Sequence, residues 1–480
     1  MKTHTNVQQI NKPQHLKDVE FRNSAANKVG KEWSWINSKH PQTADLENPA
    51  NYYESSLAAW HTFDPLNHDI ECDVVVIGAG LLGASTALHL AEQGVDTVVL
   101  EKNRIGSAAS GRNGGQLTPG LARWEAEDMI EHLSYQDAQK LWHFTSTEAM
   151  QLIDHISEHY DLQFNRQQGH ITAAVHEGHL VALTQGADAR KFLGEDHTQI
   201  VGKHELQDYI KSDYYTGGLI DHLGGQIHPL ALNRGLIYAF CQNGGSVYEN
   251  TEALSIKQQE DGIYIQTAQA RIKAKKSVVL AVHHASFKLL PEQKQTTIPF
   301  YTYVSTTAPL ELDIQQLLPH GHPVYDTQFQ IDYYRPVTDN RLLFGGQGTG
   351  TCWGPEKTLA YLQQRIHTVF PQIKNLSMDF VWSGTTDLTV NGAVDSRKFE
   401  HKFPIYAVHG WSGHGVAQTV RIGKAIADDF VGKNHDFAML AKIEHQNILF
   451  GRRLAPIMIP LAKSAFGLGA MLQPGKMVSF

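Results

Sequence analysis

The clearest pattern of apolar and polar positions begins at Cys72, in the stretch "CDVVVIGAGLLGASTALHLAEQGVDTVVLEKN". The continuous apolar run Val74–Ile77 predicts a buried strand, and the helical spacing of apolar residues over Leu81–Gln93 predicts a helix. Gly94 ends this helix, and the second apolar run Thr97–Leu100 predicts another strand. The pattern therefore predicts one βαβ unit.

Later apolar runs continue this α/β pattern. A helix is predicted over Pro229–Gln242, and the Gly-Gly pair behind it precedes a strand at Ser246–Tyr248. The segment "AKKSVVLAVHHAS" contains another apolar strand, and "IDYYRPVTDNRLLFGGQG" predicts two strands about an Asp-Asn turn. The segment "FPIYAVHGWSGHGVAQTVRIGKAIADDF" predicts a strand, a glycine-rich loop and a helix that starts near Gly415.

Three glycines lie between the first predicted strand and its helix. Gly78 permits a tight turn, Gly80 lets a pyrophosphate approach the main chain, and Gly83 lets the helix pack close to the strand. Glu101 ends the second strand, where an acid accepts hydrogen bonds from ribose hydroxyls. This context favours a dinucleotide site, and the alternative is a structural turn in another kind of α/β protein.

The segment "KNRIGSAASGRNGGQL" distinguishes FAD from NAD. It is a long run of small residues where a nicotinamide-binding fold usually continues into another helix. Its glycines let main chain lie against a flat ring, while Ser110 and Arg112 can contact phosphate or ring oxygens. We therefore predict FAD. The alternative is a flexible surface loop, but Arg112 and Asn113 within the segment favour a binding role.

The predicted fold class is α/β, with a Rossmann-like FAD-binding domain built from discontinuous segments and a substrate domain with a mixed or antiparallel sheet. The predicted FAD-binding segments are 71–120, 213–290 and 379–435, and the predicted substrate-domain segments are 121–212 and 291–378. Residues 1–70 are predicted to be an extension that wraps the body, and 436–480 a C-terminal tail.

Composition narrows the possible partners. The 480 residues are 41% hydrophobic and include 49 acidic and 41 basic residues, so the basic surface needed for nucleic-acid binding is not expected. The three cysteines are far apart, which favours a reducing cytoplasm and neither a disulfide framework nor a zinc site. No metal site is predicted, because the pair His283–His284 lacks acids or cysteines at ligand spacing.

Two terminal segments bear on localisation. Met1–Asn51 is polar and lacks an apolar signal-peptide core, so a cytoplasmic protein is predicted. Leu454–Leu472 is apolar but is interrupted by Pro456, Pro460 and Lys463, so we interpret it as a packed tail helix rather than a membrane span. Peripheral membrane contact is the alternative.

The chain resembles the D-amino-acid-oxidase-like flavoenzymes, which include glycine, sarcosine and D-amino-acid oxidases. The resemblance is carried by "DVVVIGAGLLGASTALHLAEQG", "VVLEKNRIGSAASGRNGGQL", "GGLIDHLGGQIHPLAL", "DYYRPVTDNRLLFGG" and "GWSGHGVAQT". It implies a D-amino-acid oxidase/glutathione-reductase-like fold and oxidation of a C–N bond by hydride transfer to flavin N5. The imine then hydrolyses, and oxygen commonly reoxidises the flavin to give hydrogen peroxide.

The resemblance also implies which residues contact the cofactor. These are Gly78, Gly80, Gly83, Glu101, Ser110, Arg112, Asn113, Gly114, Gly115, Gly413, His414 and Gly415. Relatives with covalent flavin carry a cysteine near the segment "VWSGTTDL" or a histidine near "SGRNGGQ", and both residues are missing here. We therefore predict non-covalent FAD.

Three residues are candidates for catalysis or substrate binding. Arg335 can pair with a substrate carboxylate, and Tyr334 precedes it; the alternative is an arginine that ties two strands together. His414 lies in the glycine loop and can face flavin or substrate, or be a packed histidine. The carboxylate-binding lysine of the sarcosine-oxidase pattern Gly-His-Gly-Phe-Lys is replaced by Ala417.

The predicted function is FAD-dependent oxidation of a small-molecule amine or amino acid, with a gamma-glutamylated polyamine favoured as substrate and oxygen as acceptor. One alternative is a dehydrogenase that passes electrons to a quinone or carrier while the tail contacts a membrane. Another is a flavin-binding accessory protein without turnover, because "AVDSRKF" stands where close relatives carry a Pro-x-Ile/Phe-Gly step.

Overall fold

The computed structural model describes residues 51–448, apart from 59, 123, 284 and 285, together with residues 451–477. The strands in this part of the chain are β1 Ile70–Ile77, β2 Thr97–Leu100, β3 Gln116–Leu117, β4 Gln167–Ala174, β5 Thr198–Gly202, β6 Gly217–Gln226, β7 Ser246–Tyr248, β8 Ser255–Gln259, β9 Gly262–Gln266, β10 Arg271–Leu280, β11 Thr297–Thr307, β12 Val324–Asp326, β13 Asp332–Val337, β14 Arg341–Thr349, β15 Met378–Thr389, β16 Asp395–Phe399 and β17 Ile405–His409.

The α-helices of the described residues connect and cover these strands. They are α1 Tyr52–Ser56, α2 Leu81–Glu92, α3 Ala126–His132, α4 Tyr135–Thr145, α5 Thr147–Tyr160, α6 Glu177–Phe192, α7 Lys203–Leu206, α8 Pro229–Gln242, α9 Ser286–Leu289, α10 Pro355–Val369, α11 Val416–Phe430, α12 Asp436–Ala441 and α13 Gly451–Leu472.

The first sheet has the strand order β16-β17-β10-β1-β2-β7, with the hairpin β8–β9 paired to β10. Its central strands are parallel, and Val74 lies opposite Thr97 while Ile77 lies opposite Leu100. Helix α2 packs against α8 and α11 beside this sheet. Because the carboxyl ends of parallel strands meet at one edge, the residues that follow β1 and β2 lie together, as in dinucleotide-binding folds.

The second sheet has the order β15-β11-β14-β13-β12-β4-β6-β3, with β5 paired to β6. Its pairs are antiparallel except β12–β4, which is parallel. A parallel-centred sheet and a mixed antiparallel sheet, with helices between and around them, confirm the predicted α/β fold class.

The elements around the cofactor motifs follow the sequence pattern closely. Strand β2, helix α8 and strand β7 have the predicted bounds, and α2 ends one residue before its predicted end. The Asp-Asn turn joins β13 to β14, with Asp339 and Asn340 both at positive φ. The helix predicted near Gly415 begins at Val416 with Gly415 as its N-cap.

The domain boundaries stay a prediction, but strand pairing shows which sheet each predicted segment joins. Strands β6 and β15 belong to the second sheet, although the prediction assigns 213–290 and 379–435 to FAD-binding segments. Of the predicted extension, 1–50 lies outside the described residues. Helix α1 is described, and its Tyr52 and Tyr53 are buried against the body.

Helix α13 packs one face on β11 and β14 and exposes the other. Among the described helices it is the one whose length and composition would allow a membrane span, with a mean hydropathy of 1.4 over Leu454–Leu472 and 11% of that stretch buried. Its inward face carries Ala455 and Ile459, both 2% exposed, whereas Leu461 is 65% exposed.

Candidate functional site

In the turn between β1 and α2, the main chain of the first helical turn packs directly against the main chain at the end of β1. Gly78 has φ +102°, and a Cβ atom on Gly83 would lie 1.9 Å from the Gly78 carbonyl oxygen. A side chain at either position would therefore clash or strain the turn. Both glycines hold the N-terminus of α2 against the end of β1, where its free N–H groups favour anionic ligands.

Glu101 and Ser110 support this turn from the side. The Glu101 carboxylate accepts hydrogen bonds from the N–H groups of Ala79 and Asn103, each at 2.9 Å, and burial raises its pKa. The Ser110 hydroxyl oxygen accepts from the Leu81 N–H at 2.9 Å, next to the N-cap residue Gly80. The main chain of the βαβ turn is thus fixed by two polar side chains.

The glycine-rich segment is an ordered loop tied to itself by Asn113. The Asn113 side chain donates to the carbonyl oxygens of Ala109 and Ser110, each at 3.0 Å, and accepts from the Gly115 N–H at 2.8 Å. Trp382 of β15 donates from its indole nitrogen to the Arg112 carbonyl oxygen at 2.8 Å. These bonds disfavour the alternative of a flexible surface loop.

A cavity joins this loop to the second sheet. Its lining is mostly glycine, hydroxyl, aromatic and aliphatic groups, and the described residues contribute no Asp or Glu side chain to it. The lining includes Leu81, Ser110, Arg112, Asn113, Gly114, Gly115, His283, Phe300, Thr302, Tyr325, Phe329, Tyr333, Gly346, Gln347, Gly348, Thr385, Thr386, Leu388, Trp411, Gly413, His414, Gly415, Val416 and Lys463.

Arg112 brings a positive charge to the wall of the cavity. The residue is 4% exposed, and burial lowers its pKa to about 9. Because a buried cation is costly to desolvate, a negatively charged or strongly polar ligand beside Arg112 is favourable. The phosphate or ring-oxygen contact of Arg112 stays a prediction.

The loop before α11 forms the opposite wall. Gly413 has φ +97° with no atom within 4 Å of its would-be Cβ, and the N-cap Gly415 makes no side-chain capping bond. The N-terminal partial charge of α11 therefore favours negative charge in the cavity. His414 lies in this loop, and its ring centroid is 6.0 Å from that of Tyr325.

His283 forms an ion pair at the cavity that sequence reasoning did not identify. Its Nδ1 lies 3.1 Å from Oδ1 of Asp387, whose side chain is fully buried. Burial opposes the charged imidazole, but the Asp387 carboxylate outweighs this effect and raises the pKa of His283. His284, the other half of the predicted non-metal pair, lies outside the described residues.

Arg335 and Tyr334 lie behind the cavity wall, outside its lining. The Arg335 guanidinium donates to the Gly114 carbonyl oxygen at 2.7 Å and to the Tyr53 hydroxyl at 3.0 Å. The Tyr334 hydroxyl donates to the Tyr215 hydroxyl at 3.0 Å. These contacts correspond to the tying role that the sequence left open for Arg335, and the carboxylate role stays a prediction.

Lys463 of α13 is another cavity residue that was not predicted from the sequence. Its ammonium donates to the Gly348 carbonyl oxygen at 2.8 Å and also to Oε1 of Gln347. Burial and the nearby Lys357 lower its pKa to about 8. The sequence feature that could have indicated a role for Lys463 is its position as a charged residue inside an apolar stretch. From the sequence alone, that charge is interpreted only as an interruption of a membrane span.

The residues present fit an FAD molecule. The glycine-lined cradle admits a flat ring, and two helix N-termini and Arg112 supply positive charge to anionic and electron-rich atoms. No group of three or more His, Cys, Asp or Glu side chains suited to a metal occurs within the described ranges. The altered segment Ala393–Phe399 contributes no side chain to the described cavity lining.

Comparisons with known proteins agree with this geometry. Residues 73–429 match the FAD dependent oxidoreductase family. Gamma-glutamylputrescine oxidoreductase of Escherichia coli (strain K12) is 34% identical over 409 residues, which cover 85% of this chain and 95% of the relative.

Solved structures show the same fold. Glycine oxidase from Geobacillus kaustophilus aligns with a TM-score of 0.67 at 20% identity, covering 78% of this chain and 99% of that one. L-Proline dehydrogenase from P. horikoshii aligns with a TM-score of 0.66 at 18% identity, covering 77% and 96%.

The family match spans most of the chain and confirms the resemblance inferred from its motifs. FAD is the cofactor of this family, so the predicted cofactor is confirmed as well. The chain belongs to the FAD dependent oxidoreductase family and is an FAD-dependent enzyme.

Proposed function

We propose that this enzyme oxidises the C–N bond of an amine that also carries a carboxylate, with gamma-glutamylputrescine as the favoured substrate. One observation carries the proposal: a single cavity is lined both by the glycine-rich loops and by Phe300, Leu388 and the cation Lys463. Similarity to gamma-glutamylputrescine oxidoreductase over 85% of the chain supports the choice of substrate.

In this proposal the cofactor is held by the residues of both glycine-rich walls. The dinucleotide would be held by the turn with Gly78, Gly80 and Gly83, by the carboxylate of Glu101 and by the loop Ser110–Gly115, and the flavin ring by Gly413–Gly415. Bound FAD would supply the hydride acceptor, and the chain itself would orient the amine and exclude water. FAD is held without a covalent bond, so denaturation releases it.

The pocket also favours the neutral amine that hydride donation requires. A free alkylamine is largely protonated at neutral pH, and transfer into an apolar pocket lowers the pKa of its ammonium. The lining residues that the structure describes include no carboxylate that would stabilise the ammonium, and they include the cations Arg112 and Lys463. His414 is proposed to orient the amine or the ring from the α11 loop.

Oxygen is the proposed electron acceptor, with hydrogen peroxide as product. A second candidate, a membrane quinone, is favoured by one observation, the exposed apolar outer face of α13 beside the cavity. Such a face suits contact with a lipid surface. Oxygen consumption with and without a soluble quinone analogue distinguishes the two acceptors.

The test is anaerobic stopped-flow reduction of the purified holoenzyme by gamma-glutamylputrescine, putrescine, glycine, sarcosine, pipecolate and D- and L-amino acids. We expect rapid loss of flavin absorbance with gamma-glutamylputrescine and slow or no loss with putrescine. Rapid reduction by glycine or sarcosine instead would overturn the proposed substrate. A flavin that none of these compounds reduces would favour the accessory-protein alternative.

A further inference from the structure

Helix α13 presents one narrow stripe of residues to the body of the protein. Ala455, Ile459 and Lys463 are spaced four residues apart and therefore share a helix face. Ala455 and Ile459 are each 2% exposed and pack in a cluster with Phe300 and Leu388. This packing fixes the direction in which Lys463, one turn further on, enters the cavity.

The ammonium of Lys463 has neutral partners. It donates to Oε1 of Gln347 and to the carbonyl oxygen of Gly348, the latter at 2.8 Å. A lysine ammonium has three N–H donors, so one donor remains for a further acceptor. In the described part of the chain, no carboxylate forms an ion pair with Lys463.

Among the residues that the structure describes, no negative group offsets this charge. The described lining residues include no acidic side chain, and the charge that acts on Lys463, that of Lys357 in α10, is also positive. A half-buried cation without a counter-ion is costly, and an anion that enters with the ligand removes part of that cost. The cavity thus favours a ligand with a negative group at the α13 end.

We propose that Lys463 binds the substrate carboxylate and thereby selects carboxylate-bearing amines over simple diamines. This proposal rests on the proposed function for the identity of the amine. It assigns carboxylate binding to Lys463 of α13, because Ala417 stands where the sarcosine-oxidase pattern has its carboxylate-binding lysine. Ala417 has no charge and is fully buried in α11. The same ammonium repels a second ammonium group, so a diamine without a carboxylate is disfavoured.

The test compares Lys463→Met with the wild-type holoenzyme on two matched ligands. These are gamma-glutamylputrescine and N-(4-aminobutanoyl)putrescine, which is the same molecule without the α-carboxylate. We expect Lys463→Met to weaken the apparent Kd for gamma-glutamylputrescine by about 10- to 100-fold, the range for a charged hydrogen bond. Binding of the decarboxylated analogue should change less than about twofold or improve.

Two control variants distinguish carboxylate binding by Lys463 from a structural role of Lys463 in the cavity wall. Lys463→Arg keeps the charge and should retain most of the affinity for gamma-glutamylputrescine. Lys476→Met removes an exposed lysine beyond the end of α13 and should leave both ligands unaffected. Equal losses for both ligands in Lys463→Met would show that Lys463 only supports the wall, and this result would overturn the proposal.

A second measurement keeps the proposal testable if gamma-glutamylputrescine does not reduce the flavin. Glutarate, an unreactive dicarboxylate, is titrated into each holoenzyme while the flavin difference spectrum is recorded. Weaker glutarate binding in Lys463→Met, with recovery in Lys463→Arg, supports the carboxylate site even when the proposed substrate fails. Identical glutarate binding in wild type and Lys463→Met would overturn it.

Discussion

The two ends of the cavity are built in different ways. The cofactor end comes mainly from the stretch Gly78–Gly115, in which Ser110 and Asn113 bond main-chain groups of the same stretch, and it is completed by the loop before α11. The substrate end is assembled from β11, β14, β15 and α13, which are distant in sequence. Its specificity therefore depends on side chains such as Lys463 that meet only after folding.

The difference explains which motifs can be identified in a sequence. A main chain that must approach a ligand or another main chain excludes side chains, and this leaves glycines at fixed spacing. A pocket wall that only needs suitable side chains at suitable distances leaves no such spacing. The cofactor end should consequently be intolerant of a single methyl group, whereas the substrate end should respond to changes of charge and packing.

The largest effect is expected at the cofactor end, in Gly83→Ala. The added Cβ would lie 1.9 Å from the Gly78 carbonyl oxygen, and that oxygen belongs to a backbone that cannot move without opening the turn. We expect purified Gly83→Ala to lose nearly all of its FAD, measured as the ratio of flavin to protein absorbance.

The matched control for Gly83→Ala is Gly354→Ala. Gly354 has a negative φ and no atom within 4 Å of its would-be Cβ, so this variant should keep its FAD. Full flavin content in Gly83→Ala, with unchanged thermal stability, would contradict the claim that close main-chain packing shapes the cofactor end.

The second prediction concerns the packing of α13 at the substrate end. Ile459 is 2% exposed and Ile457 is 60% exposed, so the same change to Ala tests buried and exposed positions of one helix. We expect Ile459→Ala to lower the free energy of unfolding by about 2–3 kcal/mol and Ile457→Ala by less than about 0.5 kcal/mol. Thermal unfolding of the holoenzymes measures both.

The two isoleucine variants also test whether the cofactor end and the substrate end of the cavity respond independently to a mutation. Ile459→Ala should weaken binding of gamma-glutamylputrescine while its flavin content stays full, because α13 packs on β11 and β14 of the second sheet. Loss of FAD in Ile459→Ala, or equal destabilisation by both variants, would show that the ends are not independent.

Much of the fold can be predicted from the sequence, because the apolar runs, glycines and turn residues that determine each element lie within it or next to it. The bounds of β2, α8 and β7 were predicted from apolar runs and their flanking glycines, and Asp339–Asn340 has the positive φ angles of its predicted turn. In each case the residues that determine the element are the residues within it or next to it.

The substrate end could not be predicted in the same way. Lys463 stands in an apolar stretch whose packed face is decided by β11 and β14, and nothing near Lys463 in sequence indicates that it enters a cavity. His283 is paired with Asp387, more than a hundred positions away. For Arg335, strand spacing did not indicate that its partners would be Gly114 and Tyr53.

The third prediction tests the charge at the junction of the two ends. Arg112→Met removes the guanidinium from the cavity wall and keeps much of the side-chain volume. We expect the Kd for FAD to rise by about 10- to 100-fold, the value of a charge-assisted hydrogen bond, as measured by fluorescence titration of the apoprotein. Arg104→Met is the control, because Arg104 interacts with Glu249 and does not line the cavity.

An Arg112→Met apoprotein that binds FAD as tightly as wild type would contradict a cofactor role for this side chain. Equal weakening in Arg104→Met would show that the whole segment, rather than the Arg112 charge, determines affinity.

The smallest effect is expected from the ion pair between His283 and Asp387, and it depends on pH. The carboxylate raises the pKa of His283 above its ordinary value, so the pair contributes fully below that ordinary value and is lost as pH rises through the raised pKa. Asp387→Asn should therefore be less stable than wild type by about 1 kcal/mol near pH 6, and the difference should shrink toward pH 9.

Thermal unfolding of both holoenzymes across this pH range measures the difference, and Asp261→Asn, at an exposed ion pair with Lys273, is the comparison. Because lysine stays charged up to high pH, any effect of Asp261→Asn should not change between pH 6 and pH 9. A wild-type advantage over Asp387→Asn that is constant with pH would mean that His283 does not change its charge there. The buried Asp387 would then be held by hydrogen bonds alone, and the middle of the cavity would resemble its cofactor end, where polar groups of fixed charge hold the main chain.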